Sequence, residues 1–434
     1  MGQQLESQRR VPPFRVERFK QRFDAFSEIG RSASGAMNRP FGSPADLEAR
    51  AWLVRLAEEA GFEVYFDAVA NLWGVRPGQV DGPAIVLGSH HDSVPDGGRF
   101  DGPLGVLMAI EVIQSLQEAG YQNALPLSFV SFTAEEPNPF DLSTLGSRTV
   151  AGRLTEDQLN AAADWNGRPL WEALTAAGGG RDRLAEVRKS RDDIAAFLEL
   201  HIEQGRRLES AQIPIGVVSG ICGIYRETVT VAGEANHAGT TQLPDRRDAL
   251  LATSEMLLAI EQKLQAADNP ELIATVGRLT VTPNAANIIP GECQWILEIR
   301  GGDMAEVYGF RDACMQVFAD IAARRGVTFR RDLMLDQQPQ PMSDEVIQAL
   351  QQAASALHLP YMNLASMAGH DATHIASFTR AGMVFVPSLG GKSHCKEEAS
   401  RMEDIEQAFY VLAAATMALD TAIATEEGYR HGDR

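Results

Sequence analysis

Two histidines and three aspartates lie in the segment GSHHDSVPDGGRFDG, directly after the apolar run 85–87, and His90, Asp92 and Asp101 are the candidates for chemistry. His90 and Asp92 are two residues apart, so in an extended chain their side chains face the same side. Asp101 follows on a glycine-rich turn. Taken alone, a polar loop with a hydrogen-bonded histidine would explain this pattern. Oxygen and nitrogen ligands after a strand also indicate a metal or catalytic site, and three further segments favour that interpretation.

These segments also place acidic or imidazole side chains where an apolar run ends. Glu135 and Glu136 follow the run 127–132, His201 ends the strand 196–202, and His394 lies in the loop after 383–386. Neighbouring carboxylates at a strand end point in different directions, so one can bind a metal while the other acts as a base. Each segment alone has a structural alternative, which is an acidic turn for the glutamates and a hydrogen-bonded side chain for each histidine.

The number of such residues decides between the two interpretations. The strand ends carry a set of nitrogen and oxygen ligands, namely His90, Asp101, Glu136, His201 and His394. Ligands of this kind suit two divalent ions about 3.5–4 Å apart with one bridging carboxylate. The four cysteines are scattered and form no CxxC pair, so no thiolate is needed. Zinc, manganese, cobalt and nickel all accept these ligand types.

The elements around these segments alternate between strand and helix. We predict strands at 62–66, 72–75, 84–87, 126–133, 196–202 and 383–386, and helices at 16–28, 44–60, 104–118, 343–358, 372–381 and 402–424. This alternation predicts an α/β fold with a mixed, mostly parallel sheet flanked by helices.

The order of predicted strands and helices changes between residues 219 and 332. Strands are predicted at 226–232, 273–282, 293–300 and 327–331, with helices at 246–266 and 304–325. The order β-α-β-β-α-β is that of a ferredoxin-like unit. We therefore predict a discontinuous catalytic domain, residues 1–218 and 333–434, interrupted by an inserted domain at 219–332.

The composition restricts the possible partners and the compartment. The chain of 434 residues carries a net charge of −19, which argues against nucleic-acid or anionic-membrane partners because both need basic patches. The first ten residues lack the apolar core of a signal peptide, and no run approaches the roughly 18 apolar residues of a membrane helix. The few scattered cysteines are typical of reduced thiols, so we predict a cytoplasmic protein.

Seven motifs make the sequence similar to the hydantoinase/carbamoylase branch of the aminoacylase-type dinuclear metallohydrolases. They are GSHHDSVPDGGRFDG, TAEE, LELHIEQG, GEANHAGTT followed by RRDAL, PNAANIIPG, AGHDA and VPSLGGKSH. The branch contains N-carbamoyl-L-amino-acid hydrolases, β-ureidopropionases and allantoate amidohydrolases. The resemblance implies a zinc-peptidase-like catalytic domain, an inserted lid and dimerisation domain, and a homodimer. It also implies hydrolysis of an N-carbamoyl-L-amino acid, or a related ureido acid with a carboxylate, to amino acid, carbon dioxide and ammonia.

The same resemblance implies a role for individual residues. One ion, zinc by default, would be held by His90 and His201, the other by Glu136 and His394, with Asp101 bridging. Glu135 would be the general base, and Asp92 would hold the tautomer of His90. His237, which often comes from the partner subunit, would be a third catalytic residue and would help to stabilise the tetrahedral oxyanion. Asn287 and Arg300 would bind the substrate carboxylate, and Gln204 and His370 would line the pocket.

Three departures from the branch leave the substrate open. The sequence has Pro137–Phe140 where the branch has Gly-Ser-Arg-Phe, Gln242-Leu243 in place of Pro-Met, and Lys396 in place of proline. The alternatives are allantoate, an N-acyl amino acid or dipeptide as in the wider clan, and a non-catalytic binding protein that kept the fold. The last is disfavoured because a binding protein has no need of Glu135 beside a metal.

Overall fold

The computed structural model describes residues 11–426, which form two compact units. The first unit contains the described residues of Met1–Ser219, Pro341–Leu364 and Gly369–Arg434, and the second contains Gly220–Gln340 and Ala365–Ala368.

The strands, in chain order, are β1 (Glu63–Phe66), β2 (Leu72–Arg76), β3 (Ala84–His90), β4 (Leu127–Phe132), β5 (Ile194–Ile202), β6 (Ile215–Ile221), β7 (Gly223–Ala232), β8 (Asn236–His237), β9 (Ile273–Thr282), β10 (Ile288–Ile289), β11 (Glu292–Gly301), β12 (Thr328–Gln337), β13 (Gln340–Pro341), β14 (Tyr361–Ser366) and β15 (Arg380–Val386). The helices are α1 (Val16–Phe26), α2 (Pro44–Glu59), α3 (Pro103–Glu118), α4 (Leu145–Val150), α5 (Glu156–Ala161), α6 (Leu170–Ala176), α7 (Arg207–Ala211), α8 (Ala249–Ala267), α9 (Met304–Arg325), α10 (Asp344–Ala356), α11 (Ala372–Ile375) and α12 (Met402–Glu426).

A nine-stranded mixed sheet organises the first unit, with the order β1-β2-β4-β3-β5-β15-β6-β13 and β14 paired to β6. The neighbours β4, β3, β5 and β15 run parallel, whereas β1, β2 and β6 pair antiparallel. The predicted mixed α/β fold is therefore confirmed. Because the four central strands are parallel, their carboxyl ends lie at one edge of the sheet.

Helix α3 packs directly behind this parallel centre. Thirteen of its 16 residues are buried. Gly105 lets the helix approach β5, since a Cβ atom there would lie 2.3 Å from the Leu200 carbonyl oxygen. Helix α12 also joins the core. It is long and apolar enough to cross a membrane by length and composition, but 61% of its most apolar window is buried inside the protein.

The helix predicted at 372–381 is wrong. The structure has only the short α11, and strand β15 begins at Arg380. Thr379 Oγ1 donates hydrogen bonds to the carbonyl oxygens of Ile194 and Ala195, at 2.5 and 3.3 Å. This contact ties the chain to β5 directly before β15 begins, so the segment after Ile375 leads into a strand and does not continue the helix.

The second unit is built on a four-stranded antiparallel sheet with the order β12-β7-β11-β9. This is the order of a ferredoxin-like unit, as the sequence predicted. Helices α8 and α9 supply apolar side chains to its core, where Trp295 and Phe318 are fully buried. Strand β12 extends to Gln337, beyond the predicted end at Arg331. The short strands β8 and β10 form a separate two-stranded pair.

Candidate metal centre

The carboxyl edge of the parallel strands gathers all five predicted ligands. His90 is the last residue of β3, and His201 is the penultimate residue of β5. Glu136 follows the end of β4, and His394 lies in the loop after β15. Asp101 precedes α3, whose first residue is Pro103.

Asp101 lies between two pairs of these ligands. Its Oδ1 atom is 3.4 Å from His90 Nε2 and 3.2 Å from His201 Nε2. Its Oδ2 atom is 3.3 Å from His394 Nε2, which lies 3.4 Å from Glu136 Oε1. One carboxylate therefore presents one oxygen to each pair, which is the arrangement of a bridging ligand.

The histidine tautomers favour metal binding. Nδ1 of His90 is 3.1 Å from the Asp92 carbonyl oxygen, and Nδ1 of His201 is 3.0 Å from the Ile202 carbonyl oxygen. A carbonyl can only accept, so each Nδ1 carries a proton, and Nε2 is the nitrogen of each ring that faces the cluster and would bind an ion. Within residues 11–426, the buried atoms His201 Nε2 and Glu136 Oε1 make no well-oriented hydrogen bond, although both face another ligand at close range. Buried acceptors that converge without donors fit a site for cations.

Asp92 differs in detail from its predicted role. His90 meets the backbone carbonyl of Asp92, while the carboxylate lies farther away, at 3.5 Å. The Asp92 carboxylate instead accepts hydrogen bonds from the backbone N–H groups of Glu135 and Glu136, at 3.2 and 3.1 Å. Asn138 Nδ2, in the segment that departs from the branch, donates to the Glu136 carbonyl at 3.0 Å. Both contacts fix the glutamate pair beside the cluster.

The charges of the cluster oppose one another strongly. Burial raises the pKa of Glu135 well above its usual range, although the charge of His90 opposes this and that of Glu136 adds to it. Burial and the charge of Asp101 raise the pKa of Glu136 to about 7. Burial alone would raise the pKa of Asp101, but the charge and hydrogen bonding of His201 lower it well below its usual range.

The histidines respond in the opposite direction. Hydrogen bonding to Asp101 raises the pKa of His394 to about 9, against the effect of burial. Burial alone would lower the pKa of His90, but hydrogen bonds with Asp101 and Asp92 raise it well above its usual range. Without cations, the acidic groups of the cluster therefore compete for protons, and cations would relieve this competition.

A second combination of ligands shares His201 with the cluster. Glu199, His201 and His370 also bring potential ligand atoms within 4.8 Å of one another. The Glu199 carboxylate is already engaged, since it accepts from Ser89 Oγ at 2.7 Å and from the Ala372 N–H at 3.2 Å. Glu199 is therefore better placed to support the cluster than to bind an ion. The sequence analysis missed it, although its position two residues before His201 puts it on the same face of β5.

The two residues predicted for the pocket are both near the ligands. Gln204 Nε2 donates to Asp101 Oδ2 at 2.6 Å. His370 is 2% exposed, and its ring lies edge-on to His201, with 4.5 Å between ring centroids. This placement makes His370 a packing neighbour of His201. A role in the pocket stays a prediction for both residues.

The remaining three predicted residues lie in the second unit. His237 and Asn287 are exposed and adjacent, because β8 pairs with β10 and the Ala238 N–H donates to the Asn287 carbonyl at 3.0 Å. Arg300 lies near the opposite end of β11 from this pair. Its guanidinium is partly engaged, by Glu298 Oε1 at 2.8 Å and by the Met367 carbonyl at 2.7 Å. The structure thus brings His237 and Asn287 together, and Arg300 lies apart from them.

Comparison with known proteins shows the family of the chain. Residues 86–418 match Peptidase family M20/M25/M40. The chain belongs to this family. It is 38% identical to an N-carbamoyl-L-amino acid amidohydrolase of Geobacillus stearothermophilus, over 89% of this chain and 94% of the relative. It is 34% identical to an allantoate amidohydrolase of Bacillus subtilis, over 88% and 92%.

A solved structure extends the match to three dimensions. The crystal structure of a hydantoinase/carbamoylase family amidase from Burkholderia multivorans superimposes with a TM-score of 0.85 at 33% identity, covering 94% of this chain and 98% of that one. The predicted resemblance to the hydantoinase/carbamoylase branch, and with it the hydrolase class, is confirmed.

Proposed function

We propose that this protein is a dinuclear metal-dependent amidohydrolase that cleaves the ureido C–N bond of an N-carbamoyl-L-amino acid or a related ureido acid. The observation that carries the proposal is the position of Asp101 between two ligand pairs, with Glu135 beside them. Glu135 Oε2 is 3.9 Å from His90 Nε2, so a base lies at the edge of the cluster without being one of its predicted ligands.

In this proposal His90, His201 and Asp101 hold one divalent ion, and Asp101, Glu136 and His394 hold the other. Zinc, manganese, cobalt or nickel suits these ligands. When bound, such ions polarise a carbonyl and make water a stronger nucleophile at neutral pH. The unsatisfied Nε2 of His201 and Oε1 of Glu136 support this assignment.

Glu135 takes the proton from the attacking water and later returns it to the leaving nitrogen. Its backbone is held by the Asp92 carboxylate and by the Thr144 N–H, which donates to the Glu135 carbonyl at 2.8 Å. This anchoring fixes the backbone of Glu135 and leaves its side chain able to move. A residue that carries a proton from water to the leaving nitrogen needs that side-chain motion. With an N-carbamoyl amino acid as substrate, the products are the amino acid, carbon dioxide and ammonia.

We assign substrate recognition to the remaining predicted residues. Arg300 and Asn287 bind the substrate carboxylate, because a guanidinium and an amide offer matching N–H donors. His237 donates to the carbonyl oxygen as it gains charge. Gln204 and His370 complete the pocket.

We further propose that the second unit is a lid and dimerisation domain. From Glu292 to Arg300, β11 advances eight residues, or about 27 Å at about 3.4 Å per residue. His237 and Asn287 lie beyond the Glu292 end, so one copy of this unit cannot offer them and Arg300 to the same small substrate. Two copies could do so together, if one copy supplies Arg300 and the other supplies His237 and Asn287.

The surface of the second unit also supports a dimer. Leu251 and Leu258, seven residues apart on α8, are 42% and 57% exposed. Strand β9 forms an edge of the four-stranded sheet. An apolar helix face beside an unpaired edge strand is a surface that a second copy would cover.

The four cysteines are free thiols, which supports a reducing, cytoplasmic location.

Allantoate is the second candidate substrate, because a named allantoate amidohydrolase is 34% identical over 88% of the chain. It is also a ureido acid with a carboxylate, so the same ligands and base would act on it. The two candidates differ at the carbon next to the carboxylate, which carries a side chain in an N-carbamoyl amino acid and a second ureido group in allantoate.

The substitution Glu135→Gln separates an enzyme from a binding protein. We expect turnover of the best ureido substrate to fall by about 10²–10⁴-fold, which is the range for losing a general base, with the content of bound metal unchanged. Glu17→Gln is a matched control on the exposed surface of α1. Unchanged turnover in Glu135→Gln would refute the role of this carboxylate.

A further inference from the structure

We propose that Glu398 is a positioning residue that sets the distance between Asp101 and His394 and thereby builds the second ion site. The inference rests on the proposed dinuclear function. It concerns how this chain holds two ligands that lie far apart in sequence on different loops.

The Glu398 carboxylate spans the two loops. Its Oε1 atom accepts hydrogen bonds from the backbone N–H groups of Phe100 and Asp101, at 2.7 and 3.0 Å. Its Oε2 atom accepts from Ser393 Oγ and from the His394 N–H, at 3.1 and 3.3 Å. One side chain, 5% exposed, therefore ties the backbone of one predicted ligand to that of another.

His394 needs this restraint more than the other ligands do. Its side chain is 49% exposed, whereas those of His90, Asp101, His201 and Glu136 are 1–6% exposed. It lies in a loop rather than on a strand, with a φ of +55°. Packing against neighbours fixes the four buried ligands, but the exposed His394 depends on hydrogen bonds to its loop. Glu398 supplies one of them directly, at the His394 N–H.

Gly98 makes the position of the carboxylate specific. A Cβ atom at Gly98 would lie 2.2 Å from the Glu398 carboxyl carbon, so the carboxylate rests against bare backbone. The φ of Gly98 is not in the left-handed region, so alanine fits the backbone there. Gly98→Ala is therefore an independent way to displace Glu398 without altering any predicted ligand.

A carboxylate that only stabilised the fold would affect both ion sites equally, or neither. A positioning residue for His394 should weaken one site selectively. Glu398→Gln keeps the shape of the side chain, but its amide nitrogen cannot accept hydrogen bonds and would face N–H or O–H donors. The substitution therefore breaks half of the connection between the loops.

The test is a calorimetric titration of the metal-free full chain with Mn²⁺, with circular dichroism to establish that each variant is folded. For Glu398→Gln we expect one dissociation constant to rise about 10–100-fold, the usual effect of losing an outer hydrogen-bond partner, and the other to change less than about threefold. The titration should resemble that of His394→Ala and differ from that of His201→Ala. Gly98→Ala should reproduce it, while Glu397→Gln, an exposed neighbour, should bind as wild type does.

Equal weakening of both sites, or no change in either variant, would overturn the proposal. Gly98→Ala decides the matter if Glu398→Gln does not fold. If the wild type binds two ions but hydrolyses no ureido compound, the proposed function fails and the positioning role stands. If the wild type binds fewer than two ions, both fail.

Discussion

Replacing Asp46 by asparagine should strongly destabilise the first unit. Asp46 is fully buried, and its carboxylate lies 3.1 Å from Arg50 Nε and 2.9 Å from His91 Nε2. Asparagine keeps the shape but leaves the buried guanidinium of Arg50 without its counter-charge. Removing one partner of a buried ion pair costs about 3–5 kcal/mol in the free energy of unfolding. That corresponds to a melting temperature lower by roughly 5–15 °C.

The pH dependence has a definite sign. Burial alone would raise the pKa of Asp46, but the charge of Arg50 and the hydrogen bond from His91 lower it well below its usual range. A carboxyl group whose pKa is depressed in the folded state contributes stability above its unfolded pKa of about 4, and this contribution is lost as the pH falls below that value. The difference between wild type and Asp46→Asn should therefore be constant from pH 5 to pH 8 and shrink below about pH 4.

The assay is thermal unfolding followed by circular dichroism across this pH range. Asp24→Asn is the matched control, because Asp24 forms an exposed ion pair with Arg99, at 2.9 Å, in the same unit. Exposed pairs contribute less than about 1 kcal/mol. The reasoning would be refuted if the two variants were destabilised equally, or if the effect of Asp46→Asn grew in acid.

Three further outcomes are expected. His201→Ala should lower the metal content from two ions per chain toward one or none by elemental analysis, because this ring contacts the bridging Asp101 at 3.2 Å; two retained ions would contradict the assignment. Chelation should abolish activity and lower the melting temperature, and Mn²⁺ or Zn²⁺ should restore both, because ions that bind only the folded state stabilise it; an active chelated protein would refute metal dependence. Leu258→Glu should produce monomers in analytical ultracentrifugation, whereas Glu261→Gln on the same helix should not; a dimeric Leu258→Glu would remove α8 from the interface.

Much of the fold could be predicted from local patterns. Strand β9 and helix α9 begin and end at the predicted residues, because regular apolar spacing and turn residues bound them clearly. The prediction missed β6 and β14, which pair with each other at one side of the large sheet. Their sequences, IGVVSGI and YMNLAS, contain glycine or polar residues that weaken a strand signal. Pairing with distant segments stabilises such strands, and a local pattern does not contain that information.

The candidate site, like the fold, could be predicted only in part from the sequence. The proximity of the five candidate ligands could be predicted because strand ends concentrate functional side chains at one edge of a parallel sheet. The roles of Glu398 and Glu199 were not predicted, because they depend on hydrogen bonds to loops and residues far away in the sequence. Their carboxylates contact Phe100, 298 residues away, and Ala372, 173 residues away. Only the folded chain brings these groups together.

The most direct test of the proposed function is ammonia release from the metal-reconstituted protein. The panel comprises N-carbamoyl-L-amino acids, N-carbamoyl-β-alanine, allantoate and N-acetyl amino acids, with Glu135→Gln measured in parallel. We predict ammonia from at least one ureido substrate with wild type and a loss of about 10²–10⁴-fold in the variant. If no ureido compound released ammonia and the N-acetyl amino acids released free amine, the result would contradict the proposed ureido hydrolysis and identify an acylase instead.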